Sequence, residues 1–235
     1  MSATASVGWI EKDGLLLEPR LTALGVKHAF TTRRAGSMKP PELRKETAEK
    51  LGMSAPLTLK QVHGIAIHEA KPENAGLEGD GWIVSRPGVT VAVYTADCVP
   101  LFLWSDDGKA AGVFHAGWRG TEKKMAQAAV AAFRDRLGIP GSRLSAATGA
   151  HIMPCCFKVG EEFTKLFPAA VLIRRGESLY MDLAAETRRQ LVEAGVPADK
   201  IGAPAPCTAC HPEDYFSYRR DKQDARLLAL LSIAP

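Results

Sequence analysis

Between residues 57 and 116 the chain is divided into six short apolar runs, which Gly, Pro and Asp separate. The runs read LTLKQV, AIHEA, GWIVS, VTVAVYTA, VPLFLW and AAGVFHA. Runs of this length and spacing are typical of β-strands joined by hairpin-like turns. Because VTVAVYTA is apolar and β-branched almost throughout, we expect it to form a central strand buried on both faces.

Patterns with helical spacing lie on either side of these runs. Predicted helices begin near Pro41 (PELRKETAEKLG, with Gly52 as the stop signal), near Thr121 (TEKKMAQAAVAAFRDRLG), near Gly160, at Leu183 after the N-cap Asp182, and near Ala225. Further strands are expected at Leu15–Leu17, Val26–Thr32, Leu144–Thr148 and Tyr215–Tyr218, with another pair after the helix near Gly160. This mixture favours an α+β fold over a parallel doubly wound sheet.

The size and composition describe an ordinary globular protein. At 235 residues the chain is treated as a single domain, residues 1–235, although two closely packed subdomains would also fit this length. An apolar content of 46% and a charged content of 24% argue against wholesale disorder. The net charge of +4 comes from interleaved basic and acidic residues, so we expect no nucleic-acid partner but leave room for a small anionic substrate.

Features that would direct the chain to a membrane or out of the cell are missing from the sequence. No run approaches the roughly 20 apolar residues of a membrane span. Met1–Lys12 has neither a basic segment nor an apolar one, so we expect a cytoplasmic protein. In that compartment, five cysteines are better interpreted as ligands, nucleophiles or buried thiols than as disulfides.

Three stretches place a metal-competent side chain at the end of a predicted strand. They are KQVHG with His63, TADCVP with Cys98, and HAGWRG with His115. Imidazole and thiolate are the ligands that zinc prefers, and three protein ligands leave the fourth position that a catalytic site needs. Taken singly, each residue is also consistent with an ordinary turn histidine or a buried thiol.

Arginines near glycines and aromatics suggest anion binding. In HAGWRG, two glycines and a helix start accompany Arg119, which could hold a phosphate or carboxylate in bidentate fashion. The stretch YFSYRRD adds Arg219 and Arg220 among aromatic rings, which suits an anionic ligand that carries a ring. A plain turn and a half-buried strand with solvated arginines remain open alternatives.

The other cysteines allow several interpretations. Cys207 and Cys210 with His211 match the C-x-x-C-H pattern of c-type haem attachment, which the missing export signal argues against. A structural metal site that also uses Cys155 and Cys156 is conceivable, but reduced structural thiols are the favoured interpretation.

Together, QVHG, TADCVP and HAGWRGT resemble the YfiH-like family, which is also called the laccase-domain or polyphenol-oxidase-like family. The stretches CCFKVG, MDL, CTAC and FSYRRD extend the resemblance in the same order, from about Phe30 to Arg226. The resemblance implies a compact α-β-β-α sandwich of mixed sheets flanked by helices. It also implies a mononuclear metal site on His63, Cys98 and His115, with zinc expected and copper as the alternative.

The function that the resemblance implies is zinc-dependent phosphorolysis of adenosine, inosine and methylthioadenosine, together with adenosine deamination. A purine nucleoside and phosphate would then be the partners of a monomer or weak homo-oligomer. We expect the substrate to be bound by Arg33, Gln61, Arg119, Arg219 and Arg220.

Other functions stay open. One is copper-dependent phenol oxidation, although six histidines are few for a multicopper cluster. Another is a hydrolase that edits peptidoglycan precursors, with a metal or with Cys98 as a nucleophile activated by His115. The last is a module that binds purines or metal without turnover.

Overall fold

The computed structural model describes residues 8–234; the first seven residues of the Met1–Lys12 segment lie outside them. The strands are β1 Ile10–Lys12, β2 Leu15–Leu17, β3 Lys27–Thr31, β4 Ile67–Glu69, β5 Gly81–Val84, β6 Thr90–Thr95, β7 Val99–Ser105, β8 Ala111–Ala116, β9 Leu144–Thr148, β10 Lys158–Val159, β11 Leu172–Arg175, β12 Ser178–Met181 and β13 Leu227–Ser232. The α-helices are α1 Pro19–Ala23, α2 Pro41–Lys50, α3 Trp118–Glu122, α4 Met125–Leu137, α5 Phe163–Leu166, α6 Leu183–Glu193 and α7 Tyr218–Asp221. None of the helices in this range is long and apolar enough to cross a membrane.

Two five-stranded sheets face each other across a hydrophobic core. The first has the order β1-β2-β3-β13-β6 and the second the order β4-β5-β8-β7-β9. Their strands pair antiparallel, except β4 with β5. Large side chains such as Phe30, Trp82, Phe102 and Trp104 fill the space between the sheets. The α+β prediction is confirmed.

Helices cover the outer faces of both sheets. Helix α2 lies on the first sheet, where Ala48 packs with Leu228 and Leu230. Helix α4 lies on the second sheet with α6 beside it, and Phe133 and Leu191 belong to one core with residues of β7 and β8. A small third sheet, β10-β12-β11, adds Leu179 and Met181 to this core. The layers form the α-β-β-α sandwich that the resemblance implied.

Strand β13 occupies a position for which the sequence predicted a helix. The run LLALLS pairs with β3 on one side and β6 on the other. Leu227, Ala229 and Leu231 point to the core between the sheets, while Leu228 and Leu230 point to α2. The helix from Ala225 was therefore a wrong prediction, because a short run that is apolar on both faces fits a buried strand as well as a helix.

Strand β6, from the run VTVAVYTA, is almost entirely buried, as expected. Its predicted central position is wrong: β13 pairs with it on one side, and on the other side Leu57 alone forms a bridge to Val91. The predicted strand LTLKQV likewise reduces to isolated bridges at Leu57 and Lys60. The C-terminal run β13 takes the inner position instead.

Three other predictions need correction. The long helix expected from Thr121 is divided into α3 and α4 by Lys124, whose φ of 69° is left-handed. The expected strand Tyr215–Tyr218 is replaced by a turn leading into α7, because the Ser217 hydroxyl accepts from Arg220 N and caps that helix. The helix near Gly160 shortens to the single turn of α5.

Candidate metal centre and cleft

Three strand ends bring His63, Cys98 and His115 together. Cys98 directly precedes β7, and His115 lies on the neighbouring β8, where it faces Pro100 in the ladder. His63 lies in the loop before β4, in a left-handed conformation with φ 58°. The potential ligand atoms of the three side chains all lie within 4.8 Å of one another. We call this group the His–Cys–His centre.

The side chain of Asp80 contacts both His63 and His115. Its carboxylate is completely buried and accepts hydrogen bonds from the backbone N–H groups of His63 at 3.0 Å and Gly64 at 2.7 Å. Oδ1 also lies 2.8 Å from His115 Nδ1. This contact leaves His115 Nε2 as the ring atom that can bind a metal. Asp80 was not predicted from the sequence, where its only signal is its place in a turn before GWIVS.

The donor set fits a zinc ion. Ligand bonds of about 2.0–2.3 Å place tetrahedral ligand atoms between 3 and 4 Å apart, which is compatible with the convergence observed. A carboxylate behind a ligand histidine is the usual arrangement at such sites. Gly117 provides the necessary space, because a Cβ there would lie 2.9 Å from Cys98 Sγ and 3.0 Å from a ring carbon of His63.

The charges of Cys98, His115 and Asp80 depend on one another. Burial raises the pKa of the Cys98 thiol, but the imidazoles of His115 and His63 outweigh it and lower that pKa to about 6. Burial lowers the pKa of His115, yet Cys98 and Asp80 raise it to about 9. Burial likewise raises the pKa of Asp80, and the bonds from His115 and Gly64 bring it below its ordinary value. Without a metal, the centre therefore favours a thiolate beside an imidazolium.

A cleft of about 820 Å³ opens onto the His–Cys–His centre. It carries three cationic side chains, one carboxylate, two tyrosines and the buried Thr95 hydroxyl, which has no hydrogen-bond partner among residues 8–234. Besides the three central residues it is lined by Lys39, Lys60, Gln61, Tyr94, Thr95, Ala96, Tyr218, Asp224 and Arg226. A space of this size suits a nucleoside-sized ligand. None of its three cations was predicted from the sequence, although Lys60 lies in the KQVHG stretch.

The predicted substrate-binding residues are placed unequally. Gln61 lines the cleft, but its amide exchanges hydrogen bonds with Tyr94 N and O, at 2.7 and 2.9 Å, and so extends the sheet edge. The four predicted arginines, in contrast, are not among the lining residues; they are Arg33, Arg119, Arg219 and Arg220.

Each of the four arginines has other contacts. Arg33 pairs with Asp221 at 3.1 Å and lies over the ring of Phe216. Arg119 is exposed, with its guanidinium 4.3 Å from the centroid of Trp118. Arg219 Nη1 donates to the carbonyl oxygen of residue 158, and Arg220 donates to the carbonyl oxygens of residues 208, 209 and 215. The structure therefore does not gather them at the His–Cys–His centre.

A family model described as multi-copper polyphenol oxidoreductase laccase matches residues 27–234. The chain belongs to the YfiH-like family. Metal-competent side chains in the described part of this family member form two groups, the His–Cys–His centre and a set of four cysteines. Neither group has the several histidines of a multicopper cluster.

Relatives and solved structures agree with this membership. A purine nucleoside phosphorylase of Deinococcus radiodurans is 34% identical over 239 residues, covering 91% of this chain and 92% of the relative. Adenosine deaminase RL5 from an unknown prokaryote is 38% identical over 157 residues, covering 63% and 60%. The crystal structure of YlmD from Geobacillus stearothermophilus has a TM-score of 0.87 at 27% identity, covering 96% of this chain and 98% of that one.

Proposed function

We propose that this protein phosphorolyses purine nucleosides in the cleft above the His–Cys–His centre, with a zinc ion as cofactor. The proposal rests on the convergence of His63, Cys98 and His115 beside a nucleoside-sized space. Relatives of this chain are named purine nucleoside phosphorylases, which supports the choice of substrate.

A zinc ion held by these three side chains would supply a Lewis acid beside the substrate. The protein's own contribution is to keep the ligands fixed. Asp80 orients the ring of His115 and anchors the backbone of His63 through the same carboxylate. Because one buried group positions two ligands, the centre is organised before substrate arrives.

The cations of the cleft are suited to bind phosphate. Lys39, Lys60 and Arg226 outnumber the single carboxylate, Asp224, so the cleft attracts anions. Arg226 lies 2.9 Å from Asp224 and Lys39 also pairs with it, which holds both cations at the rim. We therefore assign phosphate binding to Lys39 and Arg226 rather than to Arg119.

The remaining lining residues suit a nucleoside. Tyr94 and Tyr218 offer aromatic surfaces against which a purine can stack. Thr95 also lines the cleft, but its hydroxyl is buried, so we assign it no contact with the ligand. The tyrosine contacts bind and orient the substrate and involve no proton transfer.

Adenosine deamination is a second candidate at the same cleft. The relative named adenosine deaminase RL5 favours it. Both reactions require a purine held beside the centre, but only phosphorolysis consumes phosphate. Adding or omitting phosphate therefore distinguishes phosphorolysis from deamination.

The test uses zinc-loaded protein and adenosine, with and without phosphate, followed by chromatography of the products. Phosphorolysis yields adenine and ribose 1-phosphate only with phosphate. Deamination yields inosine without phosphate, and hypoxanthine in addition when phosphate allows inosine to be phosphorolysed. Cys98→Ala should abolish both products. His211→Ala provides a control, since His211 is an exposed histidine outside the cleft. A zinc-loaded protein that forms neither product, yet hydrolyses an aminoacyl ester or oxidises a phenol, would overturn the proposal.

A further inference from the structure

Four cysteines outside the cleft converge on one point. Cys155 and Cys156 lie in the segment after β9, while Cys207 and Cys210 lie before α7. Every pair of their sulfur atoms is within 4.8 Å, and Cys210 Sγ is 3.3 Å from both Cys155 Sγ and Cys156 Sγ. We call this group the cysteine cluster.

We propose that the cysteine cluster binds one zinc ion as a closed tetrathiolate site. Four sulfurs at about 2.3 Å from zinc occupy the corners of a tetrahedron with edges of about 3.8 Å. The observed separations require shifts of an ångström or less to reach that geometry. Four protein ligands leave no position for a substrate, so the site is structural.

The surroundings of the cluster support a metal. Cys207 Sγ accepts a hydrogen bond from Met153 N at 3.3 Å, and such backbone bonds to sulfur are typical around metal-bound thiolates. Arg220 donates to the carbonyl oxygens of Thr208 and Ala209, between the two ligand positions of this segment. Its guanidinium, which also pairs with Asp221, thus fixes the backbone between the two ligand positions.

Neither a disulfide nor an attached haem explains the arrangement as well. A disulfide needs two sulfurs, yet here four converge, and Cys210 is equally near two candidates. Attachment of haem would need Cys207 to be reachable, but this residue is buried and its sulfur faces the other three.

The cluster joins two distant parts of the chain next to the cleft. Thr208 Oγ1 and Arg219 N both donate to the Asp97 carboxylate at 2.6 Å, and Asp97 directly precedes Cys98. Tyr218, in the same segment, lines the cleft. A zinc ion at the cluster would therefore fix one wall of the cleft without taking part in the reaction.

The decisive measurement is the zinc content of Cys98→Ala protein after dialysis against zinc and desalting. This variant lacks a ligand of the His–Cys–His centre, so zinc that it retains reports on the cysteine cluster. We expect about one zinc per chain, and about two in the unmodified protein. Cobalt substituted into the variant should give the strong visible absorption of a tetrahedral thiolate site.

Cys210→Ser and Cys155→Ser, which change exposed cluster residues, should each lose one zinc while keeping the zinc of the His–Cys–His centre. Their unfolding temperatures should fall. If these variants do not fold, stepwise cobalt titration of the unmodified chain serves instead, with two steps expected. Cys98→Ala protein without zinc, a cobalt titration without the absorption of a tetrathiolate site, or an intact mass lower by two hydrogen atoms through a disulfide within the cluster would each overturn the proposal. None of these measurements depends on nucleoside turnover, so they stand apart from the proposed function.

Discussion

The His–Cys–His centre and the cysteine cluster are built from similar ligand types but differ in completeness. The first offers three ligands, two of them imidazoles, and opens onto the cleft. The second offers four thiols, and none of them lines the cleft. An open coordination position separates a centre that can act on a substrate from one that only holds the chain together.

The two groups are also positioned by different parts of the fold. Cys98 and His115 sit on adjacent strands of the second sheet, and the buried Asp80 orients His115. The cysteines instead lie in two loops, whose contact is the cluster itself together with a few backbone bonds, such as that from Thr208 N to His151 O. We therefore expect the centre to keep its arrangement without metal, whereas zinc bound at the cluster would order the two loops.

The largest expected effect is the difference in turnover between substitutions in the His–Cys–His centre and substitutions in the cysteine cluster. Cys98→Ala or His115→Ala should reduce turnover by more than about 100-fold, because losing a ligand exceeds the effect of losing an outer contact. Cys155→Ser should leave turnover within a few fold at low temperature. Steady-state kinetics with metal analysis tests this contrast. The expected contrast is wrong if folded Cys155→Ser protein is as inactive as Cys98→Ala protein.

Asp80→Asn should weaken only the His–Cys–His centre. The amide keeps the shape of the carboxylate but loses the charge that orients His115, so zinc affinity there should fall by about 10- to 100-fold. Competition with a coloured chelator measures both zinc ions in one titration. Zinc in the cysteine cluster serves as the internal control, and an equal loss of both would show that Asp80 acts on the whole fold.

Substitutions of cationic residues test where phosphate binds in the cleft next to the centre. Arg226→Ala should raise KM for phosphate by about 10-fold, since a hydrogen bond to a charged group contributes about 1.5–3 kcal/mol. Arg119→Ala should change it little, because Arg119 is exposed and outside the lining of the cleft. Initial rates at varied phosphate decide between them. A larger effect at Arg119 would restore the phosphate site expected from HAGWRG.

Thiol reactivity should distinguish Cys98 of the centre from Cys156 of the cluster. In chelated protein, Cys98 has a pKa of about 6 and is a thiolate above that pH, so its alkylation should level off near neutrality. Burial and the neighbouring Cys210 raise the pKa of Cys156 to about 11, so its alkylation should still increase at pH 9. At pH 7 we expect Cys98 to be alkylated faster than Cys156, as measured by mass spectrometry of alkylated peptides.

The control for this pH dependence is His115→Ala. Removing the imidazole should move the alkylation midpoint of Cys98 upward, toward that of an ordinary thiol. An unchanged midpoint near 6 would mean that His115 does not set the ionisation of Cys98.

Local patterns predicted much of the fold. The strands around residues 67–116 and the helices at Pro41 and Leu183 appear where their spacing and caps indicated. Strand β13 was missed because its state depends on β3 and β6, which lie far away in the chain. Propensity alone does not contain that information.

The candidate site was likewise predicted only where local sequence patterns carry the information. The three motifs predicted His63, Cys98 and His115, whose potential ligand atoms lie within 4.8 Å of one another in the structure. Their role as ligands stays a proposal. Asp80 was missed because a lone aspartate before a strand looks like a turn residue. The predicted arginines lie outside the lining of the cleft, because a motif shows that a cation is present but not which surface it reaches; their role in substrate binding stays a prediction.

The inner position of β13 also has a consequence for biosynthesis. Ribosomes deliver the chain from its N-terminus, so β3 and β6 are made long before the strand that separates them. Until residues 227–232 emerge, the first sheet has a gap with unpaired edges on both sides, and such edges are prone to wrong pairing. The cleft depends on the same event, because Arg226 immediately precedes β13. Completion of the sheet and of the cleft should therefore be a single step that waits for residues 227–232.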